Sequence, residues 1–113
     1  MTTLYGIPNC DTMKKARTAL DAGGIAYSFH DYKKSGITAA RLEEWADAVG
    51  WEKLLNKSGL TFRRLSDAEK ADLTRDTAIA LMVAQPSMIK RPVLETGGTI
   101  RVGFKAGDYD DLK

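Results

Sequence analysis

The chain has 113 residues, 43% of them hydrophobic and 28% charged. That suits one soluble globular domain over 1–113 and excludes the disordered, fibrous and low-complexity classes. Seventeen basic and fifteen acidic side chains leave a formal charge of +2, too small an excess for the basic footprint of a general nucleic-acid binder. No apolar run approaches the roughly 18–20 residues of a spanning helix, and no charged-then-apolar leader opens the chain. A cytoplasmic protein with no membrane partner is expected.

Thr3-Leu4-Tyr5-Gly6-Ile7 reads as a short strand of β-formers, broken by Pro8-Asn9. A helix is predicted from Asp11, with Met13, Ala16 and Leu20 at helical spacing and Gly23-Gly24 at its end. Ile25, Tyr27 and Phe29 alternate with Ala26, Ser28 and His30, which predicts a second strand. Strand, helix, strand makes a βαβ unit with parallel strands. Thr38 can cap a helix whose apolar stripe is Leu42, Trp45, Ala46 and Val49, ended by Gly50. Trp51 to Leu55 reads as a short turn. Ser66 and Glu69 stand at capping-box spacing. Thr74 or Asp76 begins a further helix carrying Ala78, Leu81 and Met82 inward, stopping before Pro86. Residues 92–95 and 99–102 flank Gly97-Gly98, a hairpin signal, and Asp108 to Leu112 reads as a short final helix. The order predicts an α/β fold: a four-stranded mixed sheet with a helical insertion over about 37–86.

Cys10 is the one cysteine and His30 the one histidine. No intramolecular disulfide can form, and a structural metal site is not expected. Cys10 lies between the first strand and the first helix, where unpaired amides and the helix dipole favour an anion and depress a thiol pKa. Thr12 and nearby amides can donate to the sulfur. A lone cysteine also suits a small inert hydrophobe; the strand-to-helix position favours the reactive reading. Asp11 suits the first helical turn but opposes a thiolate if it points at the sulfur. Its direction is open.

Ile89-Lys90-Arg91-Pro92 is the second candidate. A guanidinium beside a thiolate lowers its pKa and binds oxyanions or carboxylates, whereas two exposed cations before a strand are also commonplace. Arg91-Pro92 is an X-Pro bond that can be cis. Lys14, Lys15 and Arg17 read as a solvated helix face, Arg63, Arg64 and Arg101 as surface cations. Trp45 and Trp51 read as core anchors of the helical insertion.

The segment from Leu4 to Ala16, LYGIPNCDTMKKA, resembles the opening of the arsenate reductase (ArsC)/Spx family. So do His30-Asp31-Tyr32, Gly50-Trp51 with Leu54-Leu55-Asn56, and Ile89-Lys90-Arg91-Pro92. The resemblance runs over essentially the whole chain in order, and it is nearest to a small YffB-like branch of glutathione-dependent thiol reductases. It implies a thioredoxin-like fold with Cys10 as nucleophile, Arg91 beside it, and Pro92 cis and facing the cysteine. Around the catalytic pair Cys10 and Arg91, the expected binding residues are Asn9, Asp11, Thr12, Lys90 and Pro92.

The departures are specific. Arsenate reductases of this family hold the oxyanion with three arginines. Arg91 matches one, Asn56 stands in the place of another, and the third falls near Val102-Gly103, with Arg101 close by. Spx regulators often carry Cys-x-x-Cys, and here the fourth residue is Met13. The expected function is a thiol/disulfide reductase in which Cys10 forms a mixed disulfide resolved by an external thiol. No bound cofactor is expected; glutathione is the expected co-substrate and a small thiol or disulfide the partner of a monomer. An Spx-like interaction module and an arsenate reductase are the alternatives.

Overall fold

The computed structural model describes residues 2–112. Strand β1 (Thr2–Gly6) leads through Pro8 and Asn9 into helix α1 (Asp11–Ala22). Strand β2 (Ser28–Asp31) follows, then one turn of helix, α2 (Tyr32–Ser35). Strands β3 (Val93–Thr96) and β4 (Thr99–Val102) close the sheet. The spatial order is β2-β1-β3-β4. β1 runs parallel to β2 and antiparallel to β3, and β3 is antiparallel to β4. This is the mixed four-stranded sheet that the element order predicts.

The βαβ unit forms because α1 has one apolar stripe. Met13, Ala16 and Leu20 are buried together with Leu4 of β1, Leu94 of β3 and Tyr109. Burying one such leucine or methionine contributes about 1.5–3 kcal/mol. Leu4 and Leu94 are register partners, so this core is the even-numbered face of β1. Residues alternate across a strand, and Tyr5 therefore lies on the other face. Gly6 matters at the end of β1: a Cβ there would collide with the sulfur of Met13. The hairpin turns on Gly97 and Gly98, whose φ angles are 55° and 80°. A two-residue turn with both φ positive is the one that matches strand twist, and glycine adopts it without strain.

Two predicted elements differ. The second strand begins at Ser28 rather than Ile25, because the Ile25 amide closes the end of α1 by donating to the Leu20 carbonyl at 3.0 Å. The C-terminal segment winds only as a 3₁₀ turn over Asp110–Leu112. Just before it, the Asp108 carboxylate accepts the Lys105 amide at 2.8 Å and its carbonyl accepts Arg101 Nη1 at 2.9 Å, which fixes a turn in place of a helix.

The chain divides into two compact units, one formed by the residues up to Ser35 and from Arg91 onward, the other by Gly36–Lys90. The second is helical: α3 (Ala39–Val49), α4 (Trp51–Leu54), α5 (Leu60–Arg63), α6 (Asp67–Ala71) and α7 (Arg75–Ala84), then a 3₁₀ turn over Pro86–Met88. Thr38 caps α3, accepting the Arg41 amide. Ser66 with Glu69 and Thr74 with Thr77 form reciprocal capping boxes. Leu42, Trp45, Leu54, Ala78 and Met82 are fully buried. Leu81 is only half-buried; Ile79 takes the inward position expected of it. Trp51 is also half-buried, since it opens a helix of a single turn. Among the described residues no helix is long and apolar enough to cross a membrane.

Candidate active site

The site is built where β1 ends. Pro8 and Asn9 are exposed and turn the chain, which sets Cys10 at the N-cap of α1 with extended backbone (φ −121°, ψ 131°). Its carbonyl accepts the Lys14 amide at 3.0 Å and so starts the helix. An N-cap side chain normally closes a bond on an amide two or three residues on. The bulky sulfur closes no such tight cap, yet it lies close enough to the amides of Met13 and Thr12 to be stabilised as an anion. Helix α1 has 12 residues, long enough for its dipole to act in the same sense.

Arg91 supplies the charge. Its guanidinium donates to the Cys10 sulfur. Partial burial pushes the thiol pKa up, while the Met13 amide, the Arg91 guanidinium and the Thr12 amide together pull it down by more, leaving it below the ordinary cysteine value. The sulfur is partly exposed, so an activated thiolate is within reach of a solute. Arg91 is itself held by the fold. The Arg91–Pro92 peptide is cis, Pro92 is buried, and the Pro92 carbonyl accepts the Gly103 amide at 2.8 Å.

The structure thus brings Cys10, Thr12 and Arg91 together, with Pro92 adjoining Arg91. Asn9 and Asp11 are exposed. Lys90 is exposed and belongs to the helical unit, where its amide donates to the Leu54 carbonyl at 2.7 Å. Asn56 belongs to that unit too, its amide donating to the Met88 carbonyl and its Oδ1 accepting from Ser58.

Two residues behave differently from the sequence reading. Arg101 is no free cation: it makes a two-pronged pair with Asp111, at 2.9 and 2.5 Å. Arg17 is not simply solvated, since its guanidinium lies 4.6 Å from the centre of the Phe29 ring and donates to the Tyr27 hydroxyl. Met13, read as a core residue and buried as expected, also supplies one of the amides expected beside the sulfur. A backbone donor leaves no residue-type signal beyond its offset of three from an N-cap.

The ArsC family model matches residues 5–112. The chain belongs to the ArsC family. A solved structure of the YffB (PA3664) protein is 57% identical, superposes with a TM-score of 0.94, and covers 98% of this chain and 97% of its own. An uncharacterised protein of Haemophilus influenzae is 37% identical over 96% of both chains. The global transcriptional regulator Spx of Streptococcus mutans is 24% identical over 92% of this chain and 77% of its own length. The fold is therefore the thioredoxin-like one of these ArsC-related proteins. Among the described residues no group of three or more His, Cys, Asp or Glu side chains is placed to hold a metal ion.

Proposed function

We propose that this ArsC-family chain is a glutathione-dependent thiol/disulfide reductase with Cys10 as its nucleophile. The observation that carries the reading is the setting of that sulfur: partly exposed at a helix N-terminus, with two amides and the Arg91 guanidinium lowering its pKa. The Cys10 thiolate attacks one sulfur of a substrate disulfide, forming a mixed disulfide and expelling the other sulfur as a thiolate. The chain has no second cysteine, so the mixed disulfide must be opened from outside. A glutathione thiolate attacks the substrate-derived sulfur, which departs as a mixed disulfide with glutathione (oxidised glutathione where that half of the substrate is itself glutathione), and Cys10 leaves as the thiolate with which the cycle began. The low pKa helps twice, by populating the nucleophile and by making Cys10 a good leaving group. Arg91 and the amides of Thr12 and Met13 stabilise the sulfur anion at both stages. Asn9, Asp11, Lys90 and Pro92 are the further binding residues of this reading.

Arsenate reduction is less well supported. Asn56 replaces one expected arginine, and Arg101, near the place of another, is engaged by Asp111. The likeness to Spx supports an interaction module as the second reading, without an intramolecular redox switch, since Met13 occupies the fourth position of the motif.

The test is exposure to oxidised glutathione followed by intact mass. A single glutathionyl adduct, lost on adding reduced glutathione and absent from Cys10→Ser, is the expected result. No adduct, or one that reduced glutathione leaves in place, would overturn the reading.

A further inference from the structure

On the face of the sheet away from α1, three rings meet. Tyr5 and Tyr32 stack with centres 6.4 Å apart and planes 30° apart, and His30 lies 4.8 Å from Tyr5 and 5.9 Å from Tyr32. The Tyr5 hydroxyl donates to Glu95 Oε1 at 2.7 Å. Tyr32 is only 2% exposed, and its hydroxyl is buried with no hydrogen-bond partner among the described residues. A buried hydroxyl without a partner weakens a fold, and phenylalanine would fill the same space without that cost. The hydroxyl therefore calls for another explanation.

The strand register supplies one. On one flank of β1, Gly6 pairs with Asp31, so Tyr32 is the next residue. On the other flank Tyr5 pairs with Val93, so Arg91 stands two residues further along. Tyr32 thus follows the end of β2 and Arg91 precedes the start of β3, both at the end of the sheet where β1 runs on to Cys10. The groups that act on the Tyr32 hydroxyl agree with this placement. Burial, Tyr5 and Glu95 hold it protonated, while the Arg91 guanidinium pulls the other way. That same guanidinium donates to the Cys10 sulfur.

We propose that Tyr32 is a positioning residue of the Cys10 site, its hydroxyl dipole turned toward the Arg91 guanidinium so that this cation stays aimed at the sulfur. The attraction is between a charge and a dipole in a setting shielded from water, where such forces are strong. Tyr32 touches no reacting atom; it acts through Arg91. The proposal rests on the reading of Arg91 as the group that favours the thiolate.

The test is the rate of Cys10 alkylation against pH in four proteins: wild type, Tyr32→Phe, Arg91→Gln and the double variant, each also followed by thermal unfolding. Tyr32→Phe is expected to slow alkylation at neutral pH by about two- to fourfold and to move the midpoint of the profile upward. Its thermal stability should stay level or rise. In the Arg91→Gln background the same substitution should change nothing further. A Tyr32→Phe profile that coincides with wild type while Arg91→Gln moves the profile would overturn the proposal alone. An equal effect of Tyr32→Phe in both backgrounds would overturn it too, since the hydroxyl would not act through Arg91. A Tyr32→Phe chain that fails to fold would show the hydroxyl to be structural. An unmoved profile in Arg91→Gln would sink the underlying reading of Arg91, and this proposal with it.

Discussion

Arg91 donates to the sulfur of Cys10 although 80 positions of chain separate them. The sheet closes that distance. β1 runs into Cys10, β3 is preceded by Arg91, and the two strands are antiparallel neighbours. A cation and a nascent anion are thereby held together by backbone pairing rather than by flexible side chains. Arg91→Gln should raise the Cys10 pKa, because the guanidinium both donates a hydrogen bond and contributes positive charge. Alkylation at neutral pH is expected to slow on the order of tenfold, partly offset because a more basic thiolate is intrinsically more nucleophilic. Stopped-time alkylation read by intact mass measures it. An unchanged rate would mean that the guanidinium does not act on the sulfur.

The same interaction links Cys10 to stability. A thiol whose pKa is depressed on folding stabilises the folded state above its unfolded value of about 8.5, and loses that contribution as pH falls through the folded value. The stability difference between wild type and Cys10→Ser should therefore grow as pH rises through the window from the folded Cys10 value to about 8.5. Urea unfolding of both proteins at several pH values tests this. A difference independent of pH would contradict the lowered pKa.

Part of this site was legible in the sequence and part was not. Cys10 stood out because a strand, a Pro-Asn break and an apolar helical stripe locate it at a helix start. Arg91 was legible as a cation before a strand, but its approach to Cys10 depends on β1–β3 pairing, a non-local contact that periodicity does not encode. The partner of Arg101 was hidden for the same kind of reason: Asp111 lies ten residues away across a turn. Tyr32 entered only as part of the His30-Asp31-Tyr32 resemblance, and nothing in its local pattern marked it as buried. It follows a strand and opens a one-turn helix, where neither period 2 nor period 3.6 assigns it an inward direction. The shift of the second strand from Ile25 to Ser28 reflects a helix end that captures the Ile25 amide, a choice between two local hydrogen bonds that side-chain alternation does not reveal.

Gly6→Ala should destabilise the protein by about 1–2 kcal/mol. The new Cβ would strike the Met13 sulfur, and Met13 is fully buried among Leu4, Leu20 and Leu94. Methionine's flexibility keeps the cost at the lower end of overpacking. Since the Met13 amide also serves the Cys10 sulfur, alkylation should slow as well. Denaturant unfolding and alkylation measured on one preparation test both effects; full stability would mean that Met13 has room to move aside.

In the helical unit, Thr74→Ala removes the side-chain oxygen that accepts the Thr77 amide at the start of α7. A loss of about 0.5–2 kcal/mol is expected, with no effect on alkylation of Cys10. Thermal unfolding and the alkylation rate check the two halves of this prediction separately.

The most direct test of the central claim is the pH profile of Cys10 alkylation by iodoacetamide in the native chain, read by intact mass. With one cysteine in the sequence, the signal has one source. A midpoint clearly below the free-cysteine value of about 8.5 is the result predicted here, and it would establish an accessible, activated thiolate. A midpoint at or above that value, or no labelling while the chain is folded, would contradict the account and leave Cys10 a structural residue.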